Sequence, residues 1–217
     1  MTPRAMLFDL DSTLIHRGAA FQRYLEQLAM RFPAELPDAA ALQAMHELDH
    51  RGARPQPEFC RLVADRFPGL GMTPGEVWHD FASGLTRAVT PDPEVVALVQ
   101  RLGRRYRLAV VTNGSISRQR EKLQRAGLEP LLPRVFISEA LGLEKPDPRL
   151  FRAVLEQLEL VAAEALFVGD DPLRDIAGAH AVGLPTCWIA HGRRFPPGVA
   201  PPDVAVQSVL ELERVLA

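Results

Sequence analysis

The stretch Ala5-Met6-Leu7-Phe8-Asp9-Leu10-Asp11-Ser12-Thr13 decides the fold. Four consecutive apolar residues are too few for a helix and apolar on both faces, which is the pattern of a parallel strand buried on both sides. The run stops abruptly at two acids set one residue apart. The same design recurs along the chain. Leu108 to Val111 runs into Thr112-Asn113-Gly114, Val135 to Ile137 into Ser138-Glu139, Ala165 to Val168 into Gly169-Asp170-Asp171, and Thr186 to Ile189 into Ala190-His191-Gly192. Each strand therefore ends in small or polar residues, and in open parallel sheets ligands gather at those ends.

Segments of helical periodicity lie between these runs, at residues 93–104, 117–126, 148–158 and 172–181. Gly127 and Gly183 follow two of them, where a helix terminus favours a left-handed residue. Asp147 before Pro148 has the form of an N-cap followed by a first-turn proline. Buried strands alternating with helices predict an α/β fold, a Rossmann-like parallel sheet with helices on both faces. Residues 15–88 break that rhythm. They hold four helix-like segments (19–32, 38–50, 57–67 and 74–88) and no buried-strand run. The expected organisation is a catalytic core of residues 1–14 and 89–217, with an all-helical cap domain of residues 15–88 inserted after the first strand. The proline-rich stretch 193–202 reads as a surface loop before a short strand near Val204 to Val206 and a last helix from Ser208.

Composition narrows the function. The chain has 217 residues, 47% of them hydrophobic and 24% charged, enough for a substantial core. A net charge of -2 gives no footprint for a nucleic acid polymer, and arginine-rich stretches such as residues 101–107 read as solvated helix ends. No apolar run approaches the roughly 20 residues needed to span a bilayer, so no membrane partner is expected. Cys60 and Cys187 lie in no metal-binding spacing and suit a reducing compartment, and the start of the chain carries no signal-peptide pattern. The expectation is a soluble cytoplasmic protein, with monomer or homodimer left open.

Four strand-end segments carry candidate chemistry. Asp9 and Asp11 can point into one pocket. Like charges that close raise a pKa unless a hard cation such as Mg²⁺, which takes oxygen ligands, relieves them. One carboxylate is then free to act as nucleophile and the other as acid and base, although the same string also reads as a strand end followed by a turn cap. Asp170 can ligate the same cation and Asp175 can support it one helical turn on, while Asp171 suits a helix cap. Thr112, Asn113, Gly114 and Ser115 offer a hydroxyl and backbone N–H groups to a phosphoryl group, or a plain turn with a cap at Ser115 or Ser117. Lys145 can neutralise both a carboxylate and a phosphate oxygen. Lys122 and Lys145 are the only lysines among 25 basic residues, which sets Lys145 apart from an ordinary surface residue.

In this order and at these strand ends, the four segments resemble the haloacid dehalogenase superfamily of hydrolases, in the branch with a helical cap after the first motif. The resemblance runs from Asp9 through Asp175, and the cap contributes only by its location. It implies that Asp9 is the nucleophile of an aspartyl-phosphate intermediate and a magnesium ligand. Asp11 would serve as general acid and base, its carbonyl on the metal, and Asp170 would supply the remaining metal carboxylate with Asp175 behind it. Thr112 and the Asn113 N–H would hold the phosphoryl oxygens, and Lys145 would offset their charge. The implied activity is that of a Mg²⁺-dependent phosphatase acting on a small phosphorylated metabolite such as a sugar phosphate or nucleotide.

Rival chemistries are distinguishable. Family members that cleave carbon–halogen bonds usually lack the second aspartate of the first motif, which is present here as Asp11. Those that cleave phosphonates use a cap lysine, and residues 15–88 contain none. A phosphomutase shares all the motifs. A non-catalytic binding protein is disfavoured by intact Asp9, Asp11, Lys145 and Asp170. His16, Arg17 and the loop from His50 to Arg54 are candidates to touch the substrate's non-reacting part, or else plain exposed polar residues. Trp78, His180 and Cys187 read as structural.

Overall fold

The computed structural model describes residues 3–52 and 54–216; the side chain of Arg51 also lies outside the description. The chain divides into two compact units, one of residues Met1–His16 with Thr90–Ala217 and the other of Arg17–Val89.

The first unit is built on six described strands: β1 (Ala5–Phe8), β2 (Arg107–Thr112), β3 (Arg134–Ile137), β4 (Ala165–Gly169), β5 (Thr186–Ile189) and β6 (Val204–Val206). All pair in parallel in the order β3-β2-β1-β4-β5-β6. The fold is α/β and Rossmann-like. Chain order reverses direction at β1, which makes its carboxyl end the topological switch point where such sheets open a crevice. The register aligns Phe8 with Val110 on one side and Val168 on the other, and Asp9 N–H continues the ladder to the Val168 carbonyl at 2.9 Å.

Alternation along the strands covers both faces. Leu7, Val111 and Phe167 share a core with Leu150, Phe151 and Val154 of α8 (Pro148–Gln157). Met6, Phe8, Val110 and Val168, one residue out of phase, are fully buried on the other face. Each such side chain contributes roughly 1.5–3 kcal/mol relative to exposure. Two helices flank β2, α5 (Pro93–Gly103) and α6 (Ile116–Arg125), and α7 (Ser138–Leu141) follows β3. Past β4, Pro172–Ala177 forms a π-helical turn that continues into α9 (Gly178–His180), and α10 (Leu212–Val215) closes the chain. The sequence periodicity predicts an ordinary helix over the whole of this segment, and the structure differs at its start. It opens with Ile176 N–H reaching back five residues to the Asp171 carbonyl at 3.2 Å.

The second unit contains α1 (Arg17–Arg31), α2 (Ala39–Asp49), α3 (Gln56–Arg66) and α4 (Pro74–Arg87). Asp38 caps α2 by accepting from Ala41 N–H. Thr73 and Glu76 form a reciprocal capping box that starts α4 just before Pro74. Phe81 is the centre of its core, with the rings of Phe21, Tyr24, Phe59 and Trp78 around it. Gly84 is required by close packing, since a Cβ there would lie 2.4 Å from the Tyr24 ring. Among the described residues, no helix is long and apolar enough to cross a membrane.

Candidate active site

The strand ends converge at β1. Lys145, 4% exposed, donates from Nζ to Asp9 Oδ1 at 2.6 Å and to Asp175 Oδ1 at 2.7 Å. Carboxylate oxygens of Asp9, Asp170 and Asp175 all lie within 4.8 Å of one another. The loop carrying Lys145 is pinned to the end of β2 by Asn113, whose Nδ2 donates to the Lys145 carbonyl at 2.9 Å while its Oδ1 accepts from the Lys145 N–H at 2.8 Å. The peptide from Lys145 to Pro146 is cis. Residues expected to cooperate on sequence grounds are thus joined across 136 positions of chain.

Two glycines permit the approach. A Cβ on Gly169 would stand 2.3 Å from Asp175 Oδ2, so only glycine lets that side chain lie across the end of β4. A Cβ on Gly178 would meet Phe151 at 2.6 Å and the Pro146 Cα at 3.1 Å, beneath the lysine loop. The π-helical turn directs Asp175 inward, where Oδ2 accepts from Asp171 N–H at 2.9 Å. Asp171 itself caps the turn, accepting from the N–H groups of Leu173 and Arg174 at 2.8 Å.

The electrostatics are unbalanced. Burial pushes the Asp9 carboxyl up to about 7; Lys145 opposes the shift, and Asp175 adds to it. Burial likewise raises Asp170 to about 6, with the Asp9 charge adding to the shift and Arg193 opposing it. Asp175 is raised for the same first reason. Burial works against the Lys145 ammonium, but Asp175 and Asp9 outweigh it and hold its pKa above the ordinary lysine range. Among the described residues, these three carboxylates are paired with two cations, Lys145 and Arg193, one positive charge fewer. A hard divalent cation fits this donor set. Both oxygens of Asp175 accept hydrogen bonds, from Lys145 and Asp171, whereas Asp9 and Asp170 each have one carboxylate oxygen in such a bond and could offer the other to an ion.

The remaining candidates stand alongside. Thr112, the buried last residue of β2, accepts at Oγ1 from Gln119 Nε2 at 2.6 Å. The Asp11 carboxylate lies outside the three-acid cluster and accepts from Lys122 Nζ at 2.6 and 2.8 Å and from Gln119 at 3.2 Å. Between the two motif aspartates and the rest of the loop, Ser12 takes a left-handed φ of 62°, and its carbonyl meets His191 Nε2 at 2.6 Å. The start of α6 is capped by Glu139, which accepts from Ile116 N–H at 2.7 Å; Ser115 makes no side-chain cap.

Sequence reasoning missed Gln119, Lys122 and Arg193. Arg193 belongs to the stretch expected to be a surface loop, yet its Nη2 donates to the Asp170 carboxylate at 2.9 Å and to the Asp170 carbonyl at 2.8 Å. The Trp188 indole donates to that same carbonyl. In the helical unit, Arg17 is committed to a two-pronged pair with Asp49, and Arg54 binds the Leu48 carbonyl and Glu58. Ala53 and the Arg51 side chain, from the same candidate loop, lie outside the described residues.

Comparison with known proteins settles the lineage. Residues 6–189 match the haloacid dehalogenase-like hydrolase family. The chain belongs to the haloacid dehalogenase-like hydrolases. Among curated relatives, the pyrimidine 5'-nucleotidase YjjG of Escherichia coli is 35% identical, over 97% of this chain and 96% of its own length. A glyceraldehyde 3-phosphate phosphatase of Pyrococcus abyssi is 34% identical, over 88% of this chain and 82% of its own. The HAD-family protein YfnB of Bacillus subtilis, solved bound to magnesium, shares the fold with a TM-score of 0.79 at 23% identity, covering 100% of this chain and 99% of that one.

Proposed function

We propose that this hydrolase is a Mg²⁺-dependent phosphatase of small phosphorylated metabolites, with Asp9 as its nucleophile. The observation that carries the reading is the Lys145 ammonium set between Asp9 and Asp175 at 2.6 and 2.7 Å, beside Asp170, in a charge-deficient pocket at the switch point of the sheet. The curated relatives named above act on a pyrimidine nucleotide and on glyceraldehyde 3-phosphate, which supports the class of substrate.

The roles follow from the chemistry of the groups. The phosphoryl oxygens are met by the Thr112 hydroxyl, the Asn113 N–H and the Lys145 ammonium, which offset charge where it develops. A carboxylate oxygen of Asp9 bonds to phosphorus as the ester oxygen departs, and Asp11 gives that oxygen its proton. Asp11 then takes a proton from water, the water oxygen attacks phosphorus, and the Asp9 carboxylate is regenerated. Asp9, Asp170 and the Asp11 carbonyl would hold a divalent cation, which would supply charge neutralisation and alignment when bound. We read residues 15–88 as an inserted helical cap domain, and the two buried thiols, Cys60 and Cys187, as fitting a cytoplasmic setting.

The test is release of inorganic phosphate from a panel of nucleoside monophosphates, sugar phosphates and short phosphorylated acids, with magnesium and with a chelator. Turnover should require the metal, and Asp9→Asn should lower kcat by about 10³-fold or more. A folded Asp9→Asn variant that keeps its rate, or turnover indifferent to the chelator, would refute the mechanism.

A further inference from the structure

A hydroxyl can donate one hydrogen bond or accept others, and its neighbours decide which side a ligand meets. Around Thr112 that decision is traceable atom by atom. In the pair with the Lys122 ammonium, at 2.6 and 2.8 Å, both Asp11 oxygens accept hydrogen bonds. Gln119 faces Asp11 Oδ2 at 3.2 Å, and the group it presents there must be the amide nitrogen, not the amide oxygen. The same Nε2 lies 2.6 Å from Thr112 Oγ1. Of its two protons, one is directed to Asp11 and the other to the threonine. Thr112 Oγ1 is therefore an acceptor toward α6, and its own proton is left for a group on the other side.

Packing makes the arrangement rigid. Gln119 and Thr112 are each 2% exposed. The Gln119 side chain is tucked under the turn after β2, where a Cβ on Gly114 would stand 3.2 Å from its Cγ and Cδ. Gln119 and Lys122 are three residues apart on α6 and so share one face of the helix.

We propose that Gln119 is a positioning residue that sets the Thr112 hydroxyl as a donor to the phosphoryl oxygen, with its own orientation dictated by the Asp11–Lys122 ion pair. The inference rests on the phosphatase reading, because it needs an anion on the far side of Thr112. The positioning effect passes through the 2.6 Å hydrogen bond to Thr112; the longer bond to Asp11 Oδ2, at 3.2 Å, bears on proton transfer rather than on holding the anion.

A double-mutant cycle on the full chain tests this. Gln119→Leu, Thr112→Val and the double variant are compared for binding of inorganic phosphate by calorimetry in the presence of magnesium, and for kcat/KM on the best substrate of the unmodified protein. Gln119→Leu should weaken phosphate binding and lower kcat/KM about tenfold, and Thr112→Val by at least as much. In the Thr112→Val background, Gln119→Leu should weaken phosphate binding by less than about a further twofold, because the hydroxyl it orients is gone, whereas kcat/KM also reads its bond to Asp11. Losses of phosphate affinity that multiply, or a Gln119→Leu variant that binds phosphate like the unmodified protein, would overturn the proposal. Should leucine prevent folding, Gln119→Met has nearly the length of glutamine and serves the same cycle. Phosphate binding without turnover by the unmodified protein would count against the phosphatase reading and leave the cycle decisive; failure to bind phosphate at all would overturn the proposal as well.

Discussion

Each unit of this protein buries charge, and the two do it in opposite ways. In the helical unit, Arg17 and Asp49 meet in a two-pronged pair at 2.7 Å, one cation for one anion, with side chains 14% and 5% exposed. Tyr24 donates to Asp80 at 3.0 Å, and Asp80 is in turn met by Arg31 at 2.8 Å. In the α/β unit, one ammonium is divided between two carboxylates, and a third acid is paired with Arg193. Matched burial holds a fold together. Mismatched burial leaves a field that a ligand can satisfy; burial first, and then the neighbouring acids, raise the carboxyl groups of Asp9 and Asp170.

The sharpest way to break this contrast is to remove one acid from each unit. Asp49→Ala strands the Arg17 guanidinium and should cost about 3 kcal/mol in denaturant unfolding. Asp9→Asn should leave the metal-free protein at least as stable above about pH 7. The sign follows from linkage. A carboxyl raised to about 7 in the fold binds its proton more tightly there than in the unfolded chain, so ionising it costs stability as pH rises from the ordinary carboxylate range through about 7. Asparagine removes that cost. If Asp9→Asn were as destabilising as Asp49→Ala, the distinction between the units would fail.

A smaller effect sharpens the same point through the metal. Asp9 and Asp170, raised to about 7 and about 6, must lose protons before they can hold a cation. Apparent magnesium affinity should therefore drop about tenfold or more from pH 8 to pH 6, with protons released on binding. Calorimetry in buffers of different ionisation enthalpy measures both. Affinity flat across that range would mean the acids are ionised already. The smallest change belongs to the helical unit. Thr73→Ala breaks the exposed capping box of α4 and should cost about 1 kcal/mol without altering the pH dependence of metal binding.

Much of this was legible in the residues alone. Short apolar runs ending in acids gave the strands, and 3.6-residue periodicity gave the four helices of the inserted unit, because both signals are local. Asp9, Lys145, Asp170 and Asp175 could be grouped because each sits where a strand or its connection ends. Gln119 and Lys122 escaped, since what brings them in is the packing of α6 beside β2. A signal was nevertheless present. Gln119, Lys122, Leu123 and Ala126 follow the i, i+3, i+4, i+7 spacing of one buried helix face, and two polar residues on such a face demand partners. The scarcity of lysine, used to single out Lys145, applied equally to Lys122. Arg193 was hidden by its proline-rich surroundings, and the π-helical turn by a sequence pattern that an ordinary helix also satisfies.

Asp9 and Asp170 leave the sheet from neighbouring hydrogen-bonded strands, with Phe8 level with Val168. Their separation is thus inherited from the spacing of two backbones, about 4.8 Å, a quantity no side-chain substitution can easily alter. The chain departs for the helical unit after His16 and returns at Thr90, so everything between can lengthen, shrink or be rewritten while that spacing stays put. New sequence can be tried at such an insertion point at little risk to the spacing of these two acids.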